Sequence, residues 1–486
     1  MKCEVSAMEQ NIQPKQITIY HSNDIHSRLE NSAKVATIIN NGRNLYGEEN
    51  VIAVDIGDHM DRARTETEGT DGYIHRELLN ETRYDVITLG NNEGLTFTYE
   101  QLNAIYSGNN SFQVVCSNFH SHKHTNPNWL LSHYIMERND IRIGFVAATA
   151  NYNEFYEHLG WRTEEPLQAI LAQVANIRKN VDIIVLLSHL GIKIDEMIAE
   201  KCNEIDVIMG AHTHHLLDPP IRINNTLVCA AGKFGTHVGK VTIQCDPITR
   251  EITVNGECIN TEPYEEQASI TTIISQYGMK AKVALQRTIS LLVEPLPTSI
   301  ERESPLSNML ASGLRKWCDA EIGLVNSGQL LAGLAEGEVT AGEIHRICPS
   351  PINPCKMTLQ GKDIKEALEQ SILEEYIQLP IRGFGFRGER LGNLAVDGLA
   401  IVVDRSNPPM EKIVSIIVNG VALELERYYE VGTIDMFTFN IGYKSLAKYK
   451  DVTYYLPEFI RHILEVELQN SDNITQSQYC RWDYSM

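Results

Sequence analysis

Asp24 and His26 stand one residue apart at the end of the apolar run Ile17-Thr18-Ile19-Tyr20. In an extended backbone residues i and i+2 point to the same side. A carboxylate and an imidazole would therefore converge just past a strand's C-terminal end, where open α/β sheets bind their ligands. Both groups ligate divalent ions. One Asp-x-His pair fits a turn with a capping Asp and a solvated His equally well, but the ending recurs. Apolar segments close on Gly57-Asp58, on Gly90-Asn91-Asn92-Glu93, on Ser188-His189-Leu190-Gly191 and on Gly210-Ala211-His212-Thr213-His214. Glycine beside such a residue lets the backbone turn sharply. Asp24, His26, Asp58, Asn91, His189, His212 and His214 together suit a pair of divalent transition ions, with Asp58 as the natural bridge. The set contains no cysteine, which argues against a structural zinc knot.

Alternating strands and helices must position these residues. The spacing predicts strands over 51–56, 84–89, 113–118, 181–187 and 207–209, each feeding one of the endings or lying beside one. Helices are expected over 32–40, 71–80, 98–106, 164–179 and 193–202, and a hairpin over 131–149 around Arg138-Asn139-Asp140. Thr226–Ala231, His237–Cys245 and Glu251–Cys258 read as antiparallel strands on the far side of the sheet. His120, His122 and His124 alternate within a polar loop and fit solvated residues. Arg62 and Arg64 follow Asp58 closely enough to meet a phosphate, though solvated charges are the commoner case. Glu93, beside a candidate ligand, suits an orienting role.

At 486 residues the chain exceeds one core and should divide into two domains, or three. Hydrophobic residues at 43% and charged residues at 22% are ordinary for a soluble globular protein. A net charge of −21 argues against nucleic acid or an anionic membrane as partner, since both reward a basic face. A phosphorylated substrate would need a locally positive site, which points to bound cations. The ten cysteines run from Cys3 to Cys480 without Cys-x-x-Cys spacing, so buried thiols are expected rather than a disulfide framework. Met1–Gln16 holds no apolar leader core and no stretch is long enough to span a bilayer. The expected location is the cytoplasm.

The five blocks named above, in this order and spacing, resemble those of the calcineurin-like metallophosphoesterases, and more narrowly the two-domain 5′-nucleotidase and UDP-sugar hydrolase branch. The resemblance implies a four-layer α/β/β/α catalytic domain over residues 1–260. A linker and connecting helix over 261–292 and a smaller α+β C-terminal domain over 293–486 would follow. It implies two divalent ions (manganese, zinc, cobalt or iron), one held by Asp24, His26 and His214, the other by Asn91, His189 and His212, with Asp58 bridging. The ions would polarise the phosphoryl group and lower the pKa of a water.

Two positions depart from the family block, which reads Gly-Asn-His-Glu-Phe-Asp: its His is Asn92 here and its Asp is Leu95. An Asn amide can donate a hydrogen bond to a phosphoryl oxygen but cannot transfer a proton. His59, Asp61 and His215 are nearby candidates for a substitute acid. In the second half, Ser304-Pro305 marks a helix start, and Asn326 matches the Asn of the family's Asn-Gly-Gly-Ile-Arg block, whose Arg is Leu331 here. Phe384 or Phe386 with Phe437 or Tyr443 would form the family's aromatic nucleoside clamp, and Arg382 or Arg387 would replace the missing guanidinium. The function expected is metal-dependent hydrolysis of nucleotides or related phosphorylated small molecules, with Asp58 and Asn92 at the reacting group. The alternative is a weakened metal- and nucleotide-binding regulatory protein. The oligomeric state is left open.

Overall fold

A computed structural model describes residues 15–484; Met1–Pro14, with Cys3 and most of the stretch read as lacking a leader core, lie outside the described residues. The chain divides into two units. One comprises Met1–Asp61 and Gly72–Gln276, the other Arg62–Asp71 and Tyr277–Met486.

The first unit is built on strands β1 Lys15–Ser22, β2 Val51–Asp55, β3 Val86–Ile87, β4 Gln113–Val115, β5 Leu130–Leu131, β6 His133–Arg138 and β7 Ile141–Thr149. They continue with β8 Ile183–His189, β9 Val207–Gly210, β10 Ile221–Ile223, β11 Thr226–Ala230, β12 His237–Cys245 and β13 Ile252–Asn260. They form two sheets, ordered β13-β12-β1-β2-β3-β4-β5 and β10-β11-β9-β8-β7-β6. Strands β1 to β4 run parallel in the first sheet, as do β7, β8, β9 and β11 in the second. Their C-terminal ends therefore open together at one end of each sheet.

Alternation explains why the core strands read as unbroken apolar runs. Ile183, Val185 and Leu187 of β8 pack into one core with Ile17, Ile19, Ile52 and Val54 of the opposite sheet. Ile184 and Leu186 face the other way, against Ile170 and Val174 of helix Pro166–Ile177 and Ile198 of helix Ile192–Lys201. Helix Leu29–Tyr46 covers the outer face of the first sheet with Val35, Ile38 and Ile39. The layers are α/β/β/α.

The hairpin is β6 against β7, turning at Asn139 and Asp140, both at positive φ (48° and 56°). One expectation is corrected: Thr226–Ala230 pairs parallel to β9 rather than antiparallel. The reversal comes earlier, at Asn224 (φ 52°), where the short β10 turns into β11; three residues were too few to register as a strand.

The second unit is α+β. A five-stranded sheet carries Leu394–Asp397, Ile322–Asn326, Tyr428–Ile434, Pro354–Gln360 and Val452–Tyr454 in that order. Helix Pro305–Trp317, with Ser304 at its N-cap and Pro at N1, packs on it through Leu306, Met309, Leu310 and Leu314. Residues 62–71 complete this unit. Glu68 lies 2.9 Å from both Arg62 and the buried Arg461, and Arg62 also pairs with Asp71. Among the described residues the nine cysteines are free thiols, seven of them buried. No helix among them is long and apolar enough to cross a membrane.

Candidate metal centre

Five strands of the first unit end in the candidate ligands: Asp24 and His26 follow β1, Asp58 follows β2, Asn91 follows β3, His189 closes β8, and His212 and His214 follow β9. The connecting turns are tight. Asp24 N donates to the Gly57 carbonyl at 3.0 Å and His26 N to the Asp58 carbonyl at 2.9 Å, so the β1–β2 pairing continues past the strands. Gly57 (φ 82°) lies so close to the next turn that a Cβ there would stand 2.2 Å from Gly90 N. A Cβ on Gly90 would sit 2.1 Å from Asp58 Oδ1. Only glycine lets the two turns meet. Asp24, His26, Asp58, His212 and His214 all have φ between 47° and 70°. For non-glycine residues that conformation costs about 1–2 kcal/mol each, and it clusters at functional sites.

The donor atoms converge in two groups. In the first, His26 Nε2 lies 3.2 Å from His214 Nε2 and 3.8 Å from both Asp24 Oδ1 and Asp58 Oδ2. His214 Nε2 is 3.4 Å from Asp24 Oδ1. In the second, Asn91 Oδ1 is 2.7 Å from His212 Nδ1 and 3.3 Å from His189 Nε2, which is 3.4 Å from Asp58 Oδ1. The two Asp58 oxygens thus face different groups. Ligands bound about 2.1 Å from a tetrahedral or octahedral ion stand roughly 3.0–3.4 Å apart. Asp24, His26 and His214, and likewise Asp24, Asp58 and His189, bring ligand atoms within 4.8 Å of one another, close enough to hold a metal ion.

Neighbouring groups fix the tautomers and the turns. The Ile56 carbonyl accepts from His189 Nδ1 at 2.7 Å, which leaves Nε2 unprotonated in the neutral ring and aimed at the second group. Asn23 Nδ2 donates to Asp24 Oδ2 at 2.9 Å and to the Gly232 carbonyl at 2.7 Å. Glu93, 1% exposed, accepts from Asp58 N (3.0 Å), Gly90 N (2.8 Å) and Met60 N (2.9 Å), tying the β2 and β3 turns together.

Electrostatics follow from buried charges packed against one another. Burial alone would raise the Asp58 carboxyl; the His189 charge and hydrogen bond, and the His26 charge, outweigh it and hold the carboxyl far below its usual range. Burial likewise opposes Asp24, and the His214 hydrogen bond and His189 charge win, lowering it. Burial would lower His189, but Asp58 and Asp24 push it up to about 10. Burial and then the His189 charge bring His212 down to about 4. Burial, reinforced by the Asp58 charge, raises Glu93 to about 7. Two carboxylates among four imidazoles and an amide oxygen are the donor types that divalent transition ions take.

The other expected residues are placed as follows. Asn92 Nδ2 donates to the Met60 carbonyl at 3.0 Å and lies 3.0 Å from His26 Nδ1, so its amide nitrogen is engaged by the protein. His59 is buried, 3.2 Å from Asp55 and edge-on to His75, and Asp61 N donates to Ser27 Oγ at 2.7 Å. His215 is exposed and bonds Thr213. His124 stacks on Tyr99, and His120 faces Asn126 and Glu164. Arg64 pairs with Glu66 at 3.5 Å.

In the second unit, Asn326 is buried and donates to the Leu391 carbonyl at 2.8 Å. Phe386 (4% exposed), Phe437 and Tyr443 (both 0%) lie inside the unit, and the Tyr443 hydroxyl donates to the Gly392 carbonyl at 2.6 Å. A ring at zero exposure presents no face to a ligand. Phe384, at 47%, is exposed and packs against Phe439. Arg387 Nη1 donates to the Phe386 carbonyl at 3.2 Å.

One residue escaped the sequence reading. Tyr152 lies three residues past β7, an apolar strand of the second sheet beside the one that ends in His189. Its ring stands edge-on to His212, with centroids 6.4 Å apart. Burial first, and then the Asp58 charge, raise its phenol. The signal was its position, since β7 is the parallel neighbour of β8 with Thr149 paired to His189.

Comparison with known proteins follows the same division. The profile of the calcineurin-like phosphoesterases matches residues 17–216, and that of the 5′-nucleotidase C-terminal domain residues 287–447. An uncharacterized metallophosphoesterase, YunD of Bacillus subtilis (strain 168), is 35% identical over 460 residues, covering 93% of this chain and 99% of its own. A 5′-nucleotidase of Rattus norvegicus is 24% identical over 82% of this chain and 77% of its own. Among solved structures, the Haemophilus influenzae NAD nucleotidase (NadN) superposes with a TM-score of 0.68 at 16% identity, over 98% of this chain and 100% of that one. With the α/β/β/α layers, the converging donors and these matches together, the chain belongs to the calcineurin-like metallophosphoesterases of the 5′-nucleotidase family, hydrolases of phosphoric esters.

Proposed function

We propose that this protein is a dinuclear phosphoesterase acting on nucleotides or nucleotide-like phosphoanhydrides, among them nucleoside diphosphates and nucleotide sugars. The observation that carries the reading is the convergence of seven donor side chains from five strand ends into two groups sharing Asp58. Asp24, His26 and His214 would hold one divalent ion, and Asn91, His189 and His212 the other. Nitrogen and oxygen donors without thiolate suit manganese, zinc, cobalt or iron. Bound ions would polarise the phosphoryl group and lower the pKa of a water. The chain's own part is to hold the ligands in place. Asp58 keeps both groups at a fixed spacing, Ile56 sets the His189 tautomer, and Glu93 locks the Asp58 turn.

Substrate choice follows from Asn92. With its amide engaged by Met60 and His26, this position offers no proton to a departing alkoxide. A general acid contributes about 10²–10⁴-fold, and its loss weighs most on esters of poor leaving groups. Anhydrides and aryl phosphates, which expel weaker bases, should be hydrolysed faster than simple 5′-monophosphates. Of the four aromatics expected to meet a base, only Phe384 is exposed, with Arg387 nearby in sequence. The same Asn92 supports a second reading, a metal-dependent nucleotide binder with little turnover. A cytoplasmic setting suits the free thiols.

A phosphate-release screen over nucleotides, nucleotide sugars and pyrophosphates, with manganese, zinc or cobalt added, tests the reading. Turnover of ADP well above AMP is expected. Equal rates on both would overturn the leaving-group argument. Metal and nucleotide binding without phosphate release would favour the binder.

A further inference from the structure

The metal centre is built almost entirely from groups that accept or ligate. Its carboxylates have no proton to give, Asn92 is engaged, and the ring nitrogens face one another, their neighbours or the Ile56 carbonyl. A phosphoryl group arriving there would carry oxygens needing donors beyond the ions.

Tyr152 stands at the edge of this cluster. It follows β7, the strand beside the one ending in His189, and it caps the short helix Asn153–Tyr156. Its ring is fixed from two sides, edge-on to His212 at 6.4 Å and edge-on to Tyr156 at 6.1 Å. Tyr156 is fully buried, its hydroxyl donates to the Ala150 carbonyl at 3.1 Å, and it packs so closely under Gly94 that a Cβ there would stand 2.6 Å from its ring. The Tyr152 element is therefore anchored against the Asn91–Thr96 helix, which carries Asn91 and Asn92. The two tyrosines contrast. Tyr156 spends its hydroxyl on the backbone, whereas the half-buried Tyr152 hydroxyl has no hydrogen-bond partner among the described residues.

We propose that the Tyr152 hydroxyl is a catalytic hydrogen-bond donor that meets the substrate phosphoryl group beside His212. The inference rests on the phosphoesterase reading above. In the displacement, a water oxygen bonds to phosphorus and loses a proton to solvent, as the bond to the leaving group breaks and that group departs with the bonding electron pair. The phenol keeps its proton and stabilises the charge that grows on a phosphoryl oxygen. A fixed neutral donor aimed at developing charge is the kind of group whose removal costs about 10²–10³ in kcat when fully buried; Tyr152 is half-buried, so a smaller factor applies.

The test is Tyr152→Phe, which keeps the ring contacts and removes only the hydroxyl. On the best substrate from the screen, kcat should fall about 10–100-fold, with KM and metal content close to wild type. Affinity for orthovanadate, measured by calorimetry on the metal-loaded protein, should fall by a comparable factor. Tyr152→His, which restores a donor, should recover part of both. Vanadate affinity and kcat within twofold of wild type would overturn the proposal, and so would a loss of metal in Tyr152→Phe, which would make the residue structural. Failure of the phosphoesterase reading is seen separately, as absence of phosphate release from the wild type. Even then the vanadate comparison decides whether Tyr152 meets the anion.

Discussion

The strand ends of the first unit and those of the second carry similar residue types and do opposite things with them. In the first, Asp24, His26, Asp58, His212 and His214 sit in the left-handed region and aim oxygen and nitrogen atoms at one another. In the second, Asn326 and Tyr443 are wholly buried and give their hydrogens to the Leu391 and Gly392 carbonyls, and Asp435 accepts from Asn353 N at 3.1 Å. The first arrangement holds strained backbone and brings ligand atoms together; the second closes its polar groups on the fold. Residue type at a strand end does not separate the two. Backbone strain and the convergence of ligand atoms do.

The contrast can be broken most severely at Asp58. Asp58→Asn removes the charge shared by both donor groups, and phosphate release should fall by at least about 10³-fold with bound metal reduced in both. His189→Ala should mainly empty the second group. Metal analysis that finds neither variant changed would remove the basis of the comparison.

Glu93→Ala is next. It leaves the backbone N–H groups of Asp58, Gly90 and Met60 without their acceptor, and each buried orphan costs about 1–3 kcal/mol. Denaturant unfolding should show a loss of several kcal/mol, with weakened metal binding. A loss near zero would mean that water replaces the carboxylate.

A smaller, sharper change is Asn92→His with Leu95→Asp, which restores a proton donor at the engaged amide. AMP hydrolysis should rise about 10–100-fold, more than ADP hydrolysis, in a paired kinetic comparison. Equal gains on both would remove the leaving-group argument.

A change outside the metal centre concerns the second unit. Burial raises the Asp435 carboxyl to about 7, against hydrogen bonds from Asn353 N and Met436 N. A raised folded-state pKa means that the native state holds a proton the unfolded chain has released above its ordinary value near 4. That stability is fully present below about pH 4 and is lost as pH rises through about 7. Asp435→Asn should flatten this dependence, gaining stability over wild type at pH 8 but not at pH 4. Parallel unfolding curves at both pH values would refute the assignment.

Much of this was legible in the chain. The strand ends of the first unit could be read because Gly57 and Gly90 are required by turns that nearly touch, and because ligand types are rare inside apolar runs. Tyr152 was hidden because a tyrosine past a strand is ordinary core, and only the β7–β8 pairing brings it to His212. Residues 62–71 gave no local sign of joining the second unit. Their partner Arg461 lies 393 positions beyond Glu68, outside any periodicity. The burial of Phe437 and Tyr443 was out of reach for a similar reason: Tyr443 lies against Tyr376, far away in sequence.

The central claim is that two ions share Asp58 at the strand ends of the first unit. Anomalous diffraction from manganese-loaded crystals tests it most directly. Two peaks are predicted, one about 2.0–2.3 Å from Asp24, His26 and His214, the other from Asn91, His189 and His212, with one Asp58 oxygen reaching each. A single peak, or two peaks without Asp58 between them, would contradict the account.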